Sequence, residues 1–216
     1  MRWLTIVVLA GLAFGLWVWQ GLQPRQEVDG YYVLALSWTP SWCAAEGATR
    51  GDARCASGAG AGWLVHGLWP QHEDGGWPEF CDTPHAPPDR QLVASMLDIM
   101  GSEGLAWHQW RKHGTCSGLD PGAYFARTRA AFAALHFPEP IRAREADIER
   151  APALILEVFR KANPSIGSEM AILTCREGRA QEIRLCLNHG LNPRRCDDAL
   201  LARDCREDEV RLPAKP

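Results

Sequence analysis

The sequence predicts an α+β domain. Three observations carry this: strand patterns stand near both ends of the folded part, helical patterns gather between them, and eight cysteines are spread through that whole length. Tyr31 to Trp38 (YYVLALSW) reads as a buried strand ended by Thr39-Pro40. Residues 44–62, rich in Gly and Ala, read as a loop. Trp63 to Trp69 reads as a second strand stopped by Pro70, and residues 71–89 as a long loop.

The helical patterns follow. Leu92, Met96 and Ile99 share one face of Asp89 to Met100. Leu105 to His113 reads as a helix ended by Gly114, and Pro121 to Leu135 as another, with Pro121 at its first position. Leu154 to Ala162 is a further helical segment, stopped by Asn163-Pro164. Glu169 to Thr174 and Gln181 to Leu187 read as closing strands; Ile183, Leu185 and Leu187 alternate in the second. No internal repeat and no second domain boundary is visible, so residues 30–216 form one domain, behind a linker at 23–29.

Residues 1–22 are a signal peptide or a membrane anchor. Trp3 to Trp19 is almost wholly apolar behind Arg2, at the lower edge of what spans a bilayer. A clean A-x-A site is missing, and Trp17 and Trp19 suit a membrane interface. Cleavage and tethering through 3–19 therefore both stand. Either way the remainder leaves the cytoplasm, for the periplasm or the exterior.

The cysteines agree with an oxidising compartment. Cys43, Cys55, Cys81, Cys116, Cys175, Cys186, Cys196 and Cys205 all follow the apolar stretch, and their even number reads as four disulfides. The alternative is zinc. Structural zinc sites want C-x₂₋₄-C pairs, and the nearest two cysteines, Cys196 and Cys205, are nine positions apart. The net charge of −3 excludes a strong basic field of the kind that binds polyanions tightly. It leaves room for a site that grips one or two phosphates locally.

Chemistry concentrates at His108-Gln109-Trp110-Arg111-Lys112-His113. Residues four apart share a helix face, pairing His108 with Lys112 and Gln109 with His113. Two imidazoles and an ammonium together repel when charged and add nothing to packing, but a bound anion would explain them. His66 is plainer. Strand alternation places it with Leu64 and Leu68, opposite Trp63, Val65, Gly67 and Trp69, which suits a buried core histidine. Gly67 beside it points the other way, because glycine inside a strand marks close approach by a ligand or backbone. Two histidines and a cation suit transesterification of an RNA phosphodiester: a base for the 2′-hydroxyl, an acid for the departing 5′-oxygen, a donor for the phosphoryl oxygens.

Two segments carry a family resemblance. Trp63-Leu64-Val65-His66-Gly67-Leu68-Trp69-Pro70 resembles the first active-site segment of the ribonuclease T2 family, with its H-G-L-W-P core. Leu105 to Cys116 (LAWHQWRKHGTC) resembles the second, commonly H-E-W-x-K-H-G-T-C. The resemblance runs from about Tyr31 to the terminal cysteines. It implies the family fold, a central antiparallel sheet packed with helices and stapled by disulfides. It also implies a metal-independent, cofactor-free endoribonuclease acting on single-stranded RNA through a 2′,3′-cyclic phosphate, working as a monomer. His113 resembles the general base and His66 the general acid. Lys112 and His108 resemble the residues that bind phosphate and stabilise the transition state, with Gln109 in the catalytic set. Trp69 matches a base-pocket tryptophan, with core packing as its plain alternative. The family pairing implies Cys81–Cys116, Cys43–Cys55, Cys175–Cys205 and Cys186–Cys196, although sequence alone permits many other pairings.

Gln109 departs from the glutamate of most members. A neutral amide cannot hold a charge beside His113, so the imidazolium loses stabilisation. The expectation is an active enzyme with altered rate or pH optimum. His72, His85, His136 and His189 read as surface or loop residues, and the Arg142/Arg144 and Arg194/Arg195 pairs as solvated surface. Two other functions compete: a weakened relative that binds RNA, favoured by Gln109 and the missing basic field, and an unrelated tethered binding module, which leaves the histidine cluster unexplained.

Overall fold

A computed structural model describes residues 30–142 and 146–215. The assignments to 1–22 and 23–29 lie outside these residues, as does Arg144. Among the described residues no helix is long and apolar enough to cross a membrane; the stretch 3–19 is not among them.

The architecture is the expected α+β arrangement. Strands β1 (Tyr31–Trp38), β2 (Trp63–Gln71), β3 (Ile148–Arg150), β4 (Ala171–Arg176), β5 (Arg179–Leu187) and β6 (Val210–Leu212) form one sheet. Its order is β2-β1-β5-β6-β3, with β4 on the other side of β5. All pairings are antiparallel except the short parallel contact of β5 with β6. The helices are α1 (Thr39–Trp42), α2 (Arg90–Ala94), α3 (Leu97–Met100), α4 (Glu103–Lys112), α5 (Pro121–Ala133), α6 (Glu139–Arg142), α7 (Pro152–Ala162) and α8 (Asp198–Leu201).

Strand alternation builds two unequal layers. Tyr32, Leu34, Leu36 and Trp38 of β1 join Ile183, Leu185 and Leu187 of β5 on one face. That face packs on Trp110 of α4, Tyr124 and Phe125 of α5, and Ile155 and Phe159 of α7, all buried in the same core. The other face carries a smaller cluster of Tyr31, Val33, Ile172, Cys186 and Leu200, with Trp69 against it. The candidate site opens on this second face.

Several boundaries move for identifiable reasons. Thr39-Pro40 does end β1, but the chain then turns directly into α1, with Pro40 in its first turn, and a wider helical turn follows over Cys43–Gly47. Pro70 does not stop β2, which continues to Gln71; among the described residues β2 is an edge strand pairing with β1 alone, where proline is tolerated. The helix expected over Asp89 to Met100 is split into α2 and α3. Ser95 Oγ donates to the Leu92 carbonyl (2.6 Å), and Met96 N–H bonds the Val93 carbonyl three residues back (3.0 Å), which tightens and bends the chain there. α4 begins two residues early because Ser102 Oγ caps Leu105 N–H (3.3 Å). α6, α8, β3 and β6 are three or four residues each, too short for a periodic signal.

The eight cysteines form Cys43–Cys55, Cys81–Cys116, Cys175–Cys205 and Cys186–Cys196. Cys81–Cys116 ties the loop after β2 to the end of α4, closing a separation of 35 residues. Phe80 N–H donates to the Lys112 carbonyl (2.9 Å) beside it, so the loop also satisfies one of the open carbonyls at the helix end. Cys186–Cys196 holds the segment leading to α8 against β5.

Candidate active site

Several separate pieces of chain build a cleft of about 250 Å³. β2 supplies His66 and Trp69. The end of α4 supplies His108, Gln109, Lys112 and His113. β5 supplies Arg184. Trp77, Leu200 and Arg203 close the far wall, with the Arg203 guanidinium 5.0 Å from the Trp77 ring centre.

His66 reaches the cleft because β2 carries a bulge. Ala35 pairs with Gly67 and Leu36 with Val65, so His66 has no partner on β1. One extra residue exchanges the two faces of a strand beyond it. Trp63, Val65 and Leu68 consequently all lie in the core, while Leu64, His66 and Trp69 are only partly buried. The alternation that placed His66 with Leu68, and Trp69 with Val65, is corrected by this bulge. Gly67 marks a close approach, made by protein: a Cβ there would lie 2.1 Å from Gln109 Oε1 and 2.3 Å from Trp69 Nε1.

Trp69 lies at the centre. Its Nε1–H donates to Gln109 Oε1 (2.8 Å). Its ring stacks on His113 (centroids 5.3 Å apart, planes at 29°) and meets His66 edge to face (5.2 Å, 80°). The Arg184 guanidinium stands 5.2 Å from the same ring. Gln109 is 1% exposed, so its amide oxygen is committed to the indole rather than to solvent.

The two imidazoles sit in opposite surroundings. His113 caps α4 and is 4% exposed; its Nδ1 is buried without a partner among the described residues. Burial, then the charges of Lys112, His66 and His108, push its pKa down to about 3. His66 Nδ1 lies 2.5 Å from Glu182 Oε1 on β5. Burial alone would push the Glu182 carboxyl up. The hydrogen bond and charge of His66, with Arg184 (Nη2 to Oε2, 2.7 Å), more than offset this and hold it at about 2. His108 is exposed at the rim, edge-on to Phe80, and its pKa is lowered by desolvation and by Lys112, Arg111 and His66. Lys112 Nζ pairs with Glu79 at 3.2 Å. Both side chains are solvated, so an incoming anion can replace Glu79 at little cost.

The model of the ribonuclease T2 family matches residues 29–196. The chain belongs to the ribonuclease T2 family. It is 36% identical over 138 residues to a probable ribonuclease of Haemophilus influenzae, covering 58% of this chain and 50% of that protein. It is 37% identical over 116 residues to a ribonuclease of Aeromonas hydrophila, covering 53% and 51%. The chain thus spans about half the length of the curated relatives it matches. Among solved structures, an RNase-related protein from Calystegia sepium has the same fold, with a TM-score of 0.69 at 20% identity over 88% of this chain and 100% of that one.

All six residues singled out from the two ribonuclease T2 motifs border this one cleft. Sequence reasoning missed Glu182 and Arg184. A signal was present: with Ile183, Leu185 and Leu187 facing the core, a glutamate and an arginine are left together on the opposite face of a central strand. Of the remaining histidines, none lines the cleft; His189 is half-buried, edge-on to Tyr32. Arg194 and Arg195 are engaged by Glu73, Glu169 and Asp198.

Two outcomes are expected. The unfolded chain binds a proton at the His113 position near pH 6.5, whereas folded His113 resists it down to about 3. Stability from this residue is therefore complete above pH 6.5 and is lost as pH falls towards 3. Urea unfolding at pH 7 and pH 5 should show a loss on acidification that is smaller in His113→Asn; equal losses in both proteins would contradict the burial argument. The Glu182 contribution is present above its ordinary value of 4.5 and stays out of this window. Second, Gln109→Glu places a carboxylate one helical turn from His113 and favours its imidazolium. The acid limb of kcat/KM on RNA should move to higher pH, and an unchanged profile would mean that position 109 is not coupled to the histidines.

Proposed function

We propose that this chain is an endoribonuclease that cleaves single-stranded RNA by transphosphorylation. The observation that carries the reading is the convergence of His66 and His113, from different elements and in opposite electrostatic surroundings, on a cleft that also holds Lys112. One imidazole enclosed beside a lysine and one hydrogen-bonded to a carboxylate offer a base, a cation and an acid for one reaction.

In this reading His113, uncharged in the free protein, accepts the proton of the ribose 2′-hydroxyl. The 2′-oxygen attacks phosphorus, the P–O5′ bond breaks, and His66 donates a proton to the departing 5′-oxygen. The products are a 2′,3′-cyclic phosphate and a free 5′-hydroxyl. Lys112 and His108 stand at the mouth, where they would hold the phosphoryl oxygens and their developing charge. Binding a phosphodiester anion there also offsets the cations that depress His113, so the base strengthens when substrate arrives. Gln109 acts through Trp69, a partly exposed aromatic lining the cleft where a base would stack. No step as written needs a metal ion. The disulfides and the apolar segment 3–19 fit export to the periplasm or the exterior, with cleavage or anchoring of that segment both compatible.

Incubation of the soluble part with RNA in EDTA should yield 2′,3′-cyclic phosphate ends. His66→Ala and His113→Ala should each lose ~10²–10⁴-fold in rate. Reduction of the disulfides should abolish cleavage. Cleavage that EDTA stops, or that survives both substitutions, would overturn the mechanism.

A further inference from the structure

We propose that Glu182 is the positioning residue of His66: its carboxylate accepts the Nδ1–H, fixes the ring so that Nε2 faces the cleft, and sets a negative charge behind the ring. This rests on the reading of His66 as the general acid.

The contact is built across three strands. β2 and β5 flank β1, so their backbones stand two strand spacings apart, roughly 9–10 Å. The two rows of β1 between them hold Ala35, opposite Arg184, and Ser37, opposite Glu182. Neither side chain fills the gap. His66, turned outwards by its bulge, crosses Ala35 and Ser37 to reach Glu182 at 2.5 Å. Ser37 Oγ donates to the same Glu182 oxygen (3.1 Å), and the Arg184 fork donates to the other through Nε (2.9 Å) and Nη2 (2.7 Å). Glu182 is 8% exposed, so a carboxylate with all its donors supplied by protein is held in one orientation.

The charges around His66 single out this contact. Arg184 faces it from β5; His108, Lys112 and His113 face it from α4; Arg50, Asp52 and Arg54 line a second cavity on its other side. Asp52 is taken by Arg54 (2.8 Å), and Arg50 by Glu46 (2.7 Å). Among the described residues Glu182 is the carboxylate in hydrogen-bond contact with either candidate catalytic histidine. Position 109, one helical turn from His113, is an uncharged amide, and the negative charge stands on the His66 side of the pair.

The test compares wild type, Glu182→Gln and Glu182→Asp by ¹⁵N-histidine NMR and by pH profiles of RNA cleavage. Glu182→Gln keeps shape and an acceptor but removes the charge. Its kcat should fall roughly tenfold with KM little changed, less than the ~10²–10⁴-fold loss of an acid itself. The alkaline limb of kcat/KM should move to lower pH, and the downfield Nδ1–H signal of His66 should move upfield. Glu182→Asp keeps the charge and should lose rate without moving that limb. A folded Glu182→Gln protein with the wild-type profile and an unmoved Nδ1–H signal would overturn the proposal. If that variant does not fold, wild-type rates in Glu182→Asp overturn it instead. The NMR signal reads the Glu182 contact without reference to catalysis, so a His66→Ala protein that still cuts RNA would sink the general-acid reading separately.

Discussion

The hydrogen bond from Trp69 to Gln109 is the joint on which the site depends. It connects an edge strand to a helix end, and both histidines pack on the same indole, His113 stacked and His66 edge to face, with His66 also hydrogen-bonded to Glu182. Gly67 belongs to this joint, because a methyl group there would part the indole and the amide. The glutamine is therefore more than a neutral substitute for a glutamate. Its oxygen is the acceptor of the Trp69 indole N–H, and losing it would leave that donor without this partner.

Around this joint the fold sorts charge. His113 is enclosed, next to a lysine and, among the described residues, without a partner for Nδ1, which disfavours its charged form. His66 is half-exposed and backed by a carboxylate held near pKa 2 by His66 and Arg184 against its own burial. A chain with a net charge of −3 attracts RNA weakly at long range. Recognition in the proposed reaction must then come from the few cations at the cleft mouth. Lys112, in a solvated pair with Glu79, is placed to provide it.

Much of this was legible in the sequence, for physical reasons. β1 is a continuous apolar run and β5 alternates, both as central strands should, and α4 carries a cluster at helical spacing that packing does not explain. The direction of His66 was not legible. A period of two counts residues, and a bulge adds one without any mark in composition; Gly67 was the only local trace. The contact between His66 and Glu182 joins residues 116 positions apart, and it forms only because β1 lies between them with small side chains. The break between α2 and α3 is similar: a serine hydroxyl competing for a helix carbonyl leaves the apolar periodicity intact.

In the proposed reaction His66 and His113 meet one phosphate in the same cleft. A crystal structure with a 3′-nucleotide bound tests this most directly. The phosphate should lie within hydrogen-bond reach of both imidazoles and of Lys112, with Glu79 displaced. A phosphate bound elsewhere, or touching one histidine alone while the other still packs on Trp69, would contradict it.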